Sequence, residues 1–308
     1  MNIFLRLVFV PPMALAACVP ATDAPVPATP TATAPAPAPV DAGDAASVVR
    51  ETDAVPVRRD FEIDGELTQG GWITGYAPSG TKALSLGEQA VTLAPDGRFF
   101  AAFDRDEATR TDLVAVLVDG RRLKRELSVS PREWEIERVN VARTPGTSSA
   151  AFRERRAGEL ERIWNARQRD TGATGWRQEF IWPVKGRISG RFGSQRIYRG
   201  EPGSYHSGID IAPGEGIPFV APADGVVVLA VEDFSLEGQL LIIDHGNGLN
   251  SAFLHASRLM VEEGDRVRQG QHIGNIGSSG RATGPHLHWS VKWHNARLDP
   301  ILLTGPMS

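Results

Sequence analysis

Two histidines, His286 and His288, stand one residue apart near the C-terminus, in the stretch GRATGPHLHWS. In a β-strand, side chains at positions i and i+2 point to the same face and lie about 6–7 Å apart along the strand. Two imidazole rings on one wall are compatible with a surface pair, a buried hydrogen-bonded pair or half of a metal site. The pair alone does not distinguish these interpretations, because His-x-His is a short and common sequence.

Other residues of metal-ligating type occur earlier in the chain. His206 and Asp210 are separated by an even interval, so an extended strand aims both side chains at one face. Gly208 between them argues against a helix, and His255 follows in SAFLHAS. His206, Asp210 and one histidine of the later pair offer the three protein ligands that a catalytic zinc ion takes besides water. The only cysteine, Cys18, rules out a thiolate cluster.

The remaining histidines and a group of arginines are weaker candidates. All seven histidines follow Tyr205; His245 is interpreted as a ring bonded to loop backbone, and His272 and His294 as structural or surface residues. Four arginines that lie within a span of thirteen residues precede the His206 motif: Arg187, Arg191, Arg196 and Arg199. They form either a solvated basic face or contacts to carboxylates of an anionic peptide, with Arg199 as the candidate substrate contact.

Length and composition limit the class of protein. With 308 residues, 41% of them hydrophobic, the chain is long enough for about two domains with buried cores. The 32 glycines favour turn-rich β-structure. A net charge of −4 gives no indication of nucleic-acid binding.

The first residues have the pattern of an export signal. Arg6 is followed by an apolar run and small residues that end at Cys18 in LAAC. This stretch resembles the lipobox of bacterial lipoproteins, which implies lipidation of Cys18, a membrane anchor and a position on the outer membrane facing the periplasm. The alternative is an ordinary signal peptide with a chance cysteine. Residues 19–46 contain seven prolines and ten alanines, which is typical of an extended spacer.

The segment from about residue 48 to 141 is β-like. Asp119-Gly120 and Asp96-Gly97 each lie between strand-like runs and predict hairpins. Six or seven short strands at this spacing predict a small β-sandwich. The segment contains no histidine, so we interpret it as a positioning or binding module.

A helix is predicted over residues 148–170, with Ser148 or Ser149 as its N-cap. Its apolar residues fall on one helical stripe: Phe152, Leu160, Ile163 and Trp164. The helix is either a connector packed on one domain or a regulatory element over the active-site groove.

The order His206-x-x-x-Asp210, His255, His286-x-His288, with the flanking text IIDHGNGLN and ATGPHLHW, resembles peptidase family M23. These are lysostaphin-like zinc endopeptidases of peptidoglycan, and the resemblance covers about residues 180–301. It implies one Zn²⁺ per chain, held by His206, Asp210 and His288. It also implies that His286 and His255 are unliganded catalytic histidines. His286 is interpreted as the base and His255 as the oxyanion donor, and an exchange or sharing of the two roles is left open.

One departure from the family pattern concerns the middle histidine. Members often carry Tyr-x-His-Leu there, whereas this chain has Phe253 two residues before His255 and Ala256 after it. A phenolic donor is therefore missing from that position.

The sequence thus predicts a mainly β protein with an N-terminal β-sandwich-like domain, a connecting helix and a C-terminal antiparallel M23-type domain. The predicted boundaries are a lipoprotein signal (1–17), a tether (18–46), an accessory domain (47–147), a helix and linker (148–178) and the peptidase domain (179–308). The predicted function is zinc-dependent cleavage of peptidoglycan peptides, with a regulatory protein partner left open. The alternative is a non-catalytic M23-like activator or anchor for other wall hydrolases, which predicts a lost ligand or catalytic residue.

Overall fold

The computed structural model of the chain describes residues 56–142 and 149–307. These residues belong to one compact unit. Some predictions fall outside the described residues: the signal peptide (1–17), the lipidated Cys18, the tether (18–46) and the cap Ser148.

The N-terminal region is built from β-strands, as predicted. Its strands are β1 (Glu62–Gly65), β2 (Trp72–Tyr76), β3 (Thr81–Leu86), β4 (Gln89–Val91), β5 (Arg98–Ala102), β6 (Arg110–Leu117), β7 (Arg122–Ser128) and β8 (Ile136–Val139). Strands β1, β2 and β5 form one sheet, and β4, β3, β6 and β7 form another in that order. Both sheets contribute to one hydrophobic core, for example through Ile73 and Phe99 from the first sheet and Leu113 from the second. The predicted β-sandwich-like character is confirmed.

Only one of the two predicted hairpins is present. Strands β6 and β7 pair across Asp119-Gly120, where Gly120 has a φ of 87°. The prediction at Asp96-Gly97 was wrong, because β4 pairs with β3 whereas β5 pairs with β2 in the other sheet. The turn instead carries the chain from one sheet to the other. The cause is visible in β5, whose residues from Phe99 to Ala102 are all buried, so both faces of this strand are covered.

The C-terminal region is an antiparallel sheet with flanking strands. Its elements are α1 (Ala150–Arg167), β9 (Arg187–Gly190), β10 (Gln195–Tyr198), β11 (Glu201–Pro202), β12 (Ile209–Ala212), β13 (Pro218–Val220), β14 (Gly225–Phe234), β15 (Gly238–Gly246), β16 (Leu249–Leu259), β17 (Arg266–Val267), β18 (His272–Ile276), β19 (Leu287–Trp293), β20 (Ala296–Leu298) and α2 (Ile301–Thr304), with a 3₁₀ turn at Gly175–Arg177 between α1 and β9. The main sheet has the order β17-β14-β15-β16-β19-β12-β9. Its long central strands, β14, β15 and β16, bury residues on both faces of the sheet.

The two faces of the main sheet are covered differently. One face packs into the large core, where Phe253 of β16 and Trp289 of β19 lie stacked 6.5 Å apart. The other face carries a smaller apolar cluster that includes Leu254 of β16 together with Ile163 and Ala166 of α1. Helix α1 therefore covers part of this second face, over β14 and β15.

Helix α1 begins where Ser149 was predicted to cap it, since the Ser149 hydroxyl accepts the Phe152 N–H at 3.1 Å. The predicted apolar stripe was wrong for three of its four members: Phe152, Leu160 and Trp164 are 37%, 50% and 61% exposed. The buried residues of the helix are Glu159 and Ala166. Neither of the described α-helices is both long and apolar enough to cross a membrane.

Helix α1 buries a different face from its apolar stripe because a network of charged groups lies under the helix. The carboxylate of Glu159 accepts the Ser235 backbone N–H at 2.8 Å and its hydroxyl at 2.5 Å. It also pairs with Arg155 and Arg156, and Arg156 reaches on to Glu237 at 2.6 and 2.7 Å. Hydrophobic periodicity cannot detect a helix face that is buried through ion pairs.

A strand from the predicted accessory domain joins strands of the predicted peptidase domain. Strand β8 pairs in parallel with β10, which pairs with β11. Nearby, the buried guanidinium of Arg105 donates to the carbonyl of Gly193 at 3.1 and 2.9 Å. These contacts bring β8 to the edge of the region that contains the His206 motif.

Candidate metal centre and catalytic histidines

Three neighbouring strands bring the candidate residues together. Strand β12 pairs with β19 so that Asp210 lies opposite His288, and β19 pairs with β16 so that His288 lies opposite Leu254. Cross-strand partners share a face, so the candidates lie on the face that α1 partly covers. His206 lies just before β12 and His286 just before β19.

The three predicted metal ligands converge on one point. His206 Nε2 lies 3.0 Å from Asp210 Oδ1, and His288 Nδ1 lies 2.9 Å from the same oxygen. The two nitrogens are 3.0 Å apart. Among the described residues this is the group of His, Cys, Asp or Glu side chains arranged to hold a metal ion.

The donor atoms fit a zinc ion in number, type and spacing. Zinc–nitrogen and zinc–oxygen bonds of about 2.0–2.1 Å place tetrahedral ligand atoms about 3.3 Å apart, close to the sides of this triangle. His206 Nδ1 lies 3.0 Å from the carbonyl oxygen of Arg191. Because that oxygen only accepts, Nδ1 carries the proton of the neutral ring, and Nε2 keeps its lone pair for a ligand. In the protonated ring, which Asp210 favours, Nε2 donates to Asp210 instead.

The electrostatics of the triangle favour an ionised carboxylate. Burial raises the pKa of Asp210, but hydrogen bonds from His206 and His288 outweigh it and hold this pKa well below its usual range. Burial lowers the pKa of His206, but the hydrogen bond to Asp210 raises it above its ordinary value. For His288 burial dominates, and its pKa is lowered despite Asp210. The site therefore contains a carboxylate and a neutral imidazole, which are metal-binding forms.

His286 lies beside the triangle without belonging to it. Its Nε2 is 3.7 Å from Asp210 Oδ1, and its Nδ1 is 2.8 Å from the carbonyl oxygen of Gly284. The ring is thereby oriented with Nε2 towards Asp210, on the side of the strand that the i, i+2 spacing with His288 predicts.

His255 reaches the same place through an irregularity in β16. Phe253 and Ala256 both lie in the core, and an extra residue between them is accommodated by a β-bulge against β15. His255 has a φ of +66°, which is uncommon for a residue with a Cβ. In a regular strand its ring would follow Phe253 into the core, whereas here it lies 4.9 Å from the ring of His286.

The ring of His255 is also fixed by a backbone carbonyl. Its Nδ1 lies 2.8 Å from the carbonyl oxygen of Ser279, which leaves Nε2 on the site side. Burial lowers the pKa of His255. Phe253, the residue that departs from the family pattern, is fully buried on the opposite face of the strand.

The comparison with known proteins agrees with this arrangement. The model of peptidase family M23 matches residues 204–300, the segment that contains all five of these residues. Residues 204–300 are an M23 peptidase domain. In a crystal structure of a Pseudomonas aeruginosa protein described as a peptidase M23, the similarity extends over 79% of this chain and 96% of that one, with a TM-score of 0.61 and 25% identity.

Curated relatives of the M23 domain include cell-wall enzymes. The chain is 39% identical over 133 residues to the peptidoglycan DD-endopeptidase ShyA of Vibrio cholerae, and 37% identical over 127 residues to a lipoprotein NlpD/LppB homologue of Pseudomonas aeruginosa. Each alignment covers 41% of this chain. The chain covers only 30% and 39% of these two relatives, respectively.

A cleft of about 1220 Å³ opens beside the candidate ligands in the M23 domain. His206 and Asp210 line it together with residues of β8, such as Ile136, so the N-terminal region contributes one wall. Arg281, which the sequence interpretation missed, also lines this cleft. The signal that could have found it is its place in GRATGPHLH, five residues before His286.

The predicted arginines lie in different places. Arg196 lines the cleft but is paired with Glu137 at 2.5 Å, and Arg191 approaches Glu135 at 3.6 Å. Arg199 lies at the exposed tip of the turn between β10 and β11, with a φ of +48°, and does not line the cleft. The structure therefore does not bring Arg199 to the metal ligands.

The other histidines lie apart from the ligands. His245 is fully buried, its Nδ1 is 2.8 Å from the Asp224 carbonyl and its Nε2 is 2.9 Å from the Ser251 hydroxyl. Burial lowers the pKa of His245 to about 4. His272 is exposed on β18, and His294 packs against Trp293.

Proposed function

We propose that this protein is a zinc-dependent endopeptidase that hydrolyses peptide bonds in the stems or cross-links of peptidoglycan. The observation that carries the proposal is the triangle of His206 Nε2, Asp210 Oδ1 and His288 Nδ1, with sides of 2.9–3.0 Å, beside two further histidine rings. Three protein ligands with a cleft at the remaining side are the arrangement of a catalytic zinc site, whereas a structural site is closed by four.

One Zn²⁺ per chain would be held by His206, Asp210 and His288. When bound, zinc supplies a water of lowered pKa and polarises a carbonyl group. For His206 the required tautomer is already favoured, because the Arg191 carbonyl holds the proton on Nδ1.

The two remaining histidines would handle protons at the scissile amide. Both rings have Nδ1 directed at a backbone carbonyl, of Gly284 for His286 and of Ser279 for His255. Each neutral ring therefore has a lone pair on Nε2, where it accepts a proton and later returns it to the leaving amine. We assign the base to His286, which is nearer Asp210. His255 would donate to the oxyanion only after its Nε2 has gained a proton, because burial lowers its pKa.

The substrate and location follow from the setting of the domain. A signal segment, a lipidated Cys18 and a proline-rich tether would place the M23 domain outside the cytoplasm, on the outer membrane facing the periplasm. ShyA, a relative at 39% identity, is a peptidoglycan DD-endopeptidase by name. Both observations support the cell wall as the place of action and peptidoglycan peptides as the substrate.

The alternative function is that of a non-catalytic activator or anchor for other wall hydrolases. That function predicts the loss of at least one ligand or catalytic histidine. All five residues are retained here, and their side chains meet on one face of the sheet. The enzyme is therefore the function that the site supports best.

Digestion of purified sacculi tests the proposal. Zinc-loaded protein should release soluble muropeptides whose masses identify the bond that is cut, and a chelator or His288→Ala should abolish this release. The exposed His272 offers a matched control, since His272→Ala leaves the ligands untouched. A folded, zinc-loaded protein that releases nothing would contradict the enzyme and favour the activator.

A further inference from the structure

The charged residues of the cleft are almost all neutralised by one another. Glu137 pairs with Arg196 at 2.5 Å, and Glu135 approaches Arg191 at 3.6 Å. Asp210 accepts hydrogen bonds from His206 and His288 and belongs to the candidate metal centre.

Arg281 is the exception among the lining residues. Its side chain is exposed in the cleft that His206 and Asp210 also line. Within residues 56–142 and 149–307, its guanidinium has no carboxylate within ion-pair distance. An exposed cation beside paired charges is available to a ligand.

The backbone that carries Arg281 is firmly held. Its N–H donates to the carbonyl of Leu236 at 2.9 Å. Two residues earlier, the Ser279 hydroxyl accepts the Gln239 N–H at 2.9 Å and donates to the Ala256 carbonyl at 2.7 Å. Gly280 has a φ of +69°, and a Cβ there would lie 2.3 Å from the nitrogen of Gly238, so only glycine allows this close approach.

This loop is also connected to the catalytic residues. The carbonyl of Ser279 that anchors it accepts from His255 Nδ1 at 2.8 Å. The hairpin against which it packs is held by α1, through Arg156 and Glu237. Arg281 is therefore presented to the cleft from a loop whose geometry is fixed together with that of His255.

We propose that Arg281 binds a free carboxylate of the peptide substrate and so orients that peptide across the metal centre. The inference rests on the proposed function, which supplies the peptide. A guanidinium binds a carboxylate through two parallel N–H···O bonds, which fixes orientation as well as adding affinity. The preferred substrates are thus peptides with an unmodified carboxylate close to the scissile bond, and amidated peptides are poor ones.

Equilibrium binding tests the inference. The probes are cross-linked stem-peptide dimers purified from sacculi, with their carboxylates intact or converted to amides with ammonium and a carbodiimide. They are titrated into zinc-loaded full-length protein carrying His286→Ala, which prevents turnover. We expect the intact dimer to bind about tenfold more tightly than the amidated one, which corresponds to about 1.4 kcal/mol of binding free energy.

Variants of Arg281 separate its charge from general effects on the cleft. In Arg281→Gln the intact and amidated dimers should bind equally, whereas Arg281→Lys should keep part of the preference because it keeps the charge. Arg266→Gln is the matched control, because Arg266 is exposed on β17 at the far edge of the main sheet. The inference would be overturned if protein that keeps Arg281 bound both dimers equally. It would also be overturned if Arg281→Gln kept the preference for the intact dimer.

The result is independent of whether the protein cleaves. Sacculi digestion by the same preparation without His286→Ala reports on the proposed function alone. Cleavage without a carboxylate preference would support the proposed enzymatic function and contradict the proposed role of Arg281. A carboxylate preference without cleavage would leave Arg281 as a binding residue and remove the catalytic function.

Discussion

The histidine cluster and helix α1 lie on the same face of the main sheet, but different forces hold them. The cluster is built on three paired strands, and each of its rings is oriented by a backbone carbonyl or by Asp210. Helix α1 instead rests on a buried carboxylate, Glu159, and on the arginines around it. The rings of the cluster are thus held by backbone carbonyls and one carboxylate, whereas the support beside them depends on buried ion pairs.

This difference separates two kinds of substitution. Changes in the cluster should remove zinc or activity with little effect on stability, because the rings contribute little to the core. Changes under α1 should lower stability first. The hairpin that α1 contacts also supports the loop of Ser279, which orients His255, so effects on activity follow from there.

The largest effect is expected from loss of a metal ligand. Removal of a residue that hydrogen-bonds to a metal ligand lowers metal affinity by about 10–100-fold. His288→Ala removes a ligand itself, so zinc affinity should fall by more than that. Cleavage of sacculi should fall with it. Zinc content after dialysis, measured by elemental analysis, checks this, with His272→Ala as the control. Full zinc retention in His288→Ala would show that His288 is not a ligand.

His286→Ala should separate catalysis from metal binding. It removes a proton acceptor but none of the three ligand atoms, so zinc should remain at one ion per chain. The rate of muropeptide release should fall by about 10²–10⁴-fold, the contribution of a general acid–base group. Loss of zinc together with activity would instead place His286 among the ligands.

Under α1, Glu159→Gln should destabilise the protein. The neutral amide weakens the hydrogen bonds from Ser235, Arg155 and Arg156, at a cost of about 1.5–3 kcal/mol in the free energy of unfolding. Urea denaturation measures this, and Glu161→Gln, an exposed position on the same helix, is the control. Equal stability of the two variants would mean that Glu159 does not anchor α1.

The carboxylate of Glu159 also makes the stability of the protein dependent on pH. Burial raises the pKa of Glu159, but hydrogen bonds from Ser235, Arg156 and Arg155 outweigh it and lower the pKa from 4.5 to about 2. Because the folded pKa is depressed, its stabilisation is present above pH 4.5 and is lost as the pH falls towards 2. The stability gap between wild type and Glu159→Gln should therefore narrow over this range.

The smallest effect is expected on the outer side of α1. Trp164 is 61% exposed, so Trp164→Ala should change the free energy of unfolding by less than about 0.5 kcal/mol. Ile163→Ala, next to it but packed on the apolar cluster, should cost more. If urea denaturation showed a larger loss of unfolding free energy for Trp164→Ala than for Ile163→Ala, the apolar stripe that the sequence predicted would be the buried face.

The spacing of His286 and His288 predicts the face that they share, because His288 lies on β19 and His286 lies directly before it. The interval between His206 and Asp210 is also even, but β12 begins at Ile209, so strand alternation does not account for the orientation of His206. The orientation of His255 could not be predicted, since it depends on a β-bulge formed by pairing with distant strands.

The elements around the site were harder to predict, for identifiable reasons. The face of α1 depends on Ser235 and Glu237, which lie about 80 residues away and which a helical pattern does not contain. Proximity to His206 in the sequence favoured Arg199 as a substrate contact, and no sequence pattern indicated Arg281. The loop contacts that carry Arg281 into the cleft are long-range hydrogen bonds.

The most direct test of the central claim is a zinc titration of cross-link cleavage. Metal-free wild-type protein is reconstituted with increasing Zn²⁺, and muropeptide release from sacculi is measured at each step. Cleavage should rise in proportion to bound zinc and level off at one ion per chain. Cleavage by the metal-free protein, or none by the fully loaded protein, would contradict a catalytic zinc held by His206, Asp210 and His288.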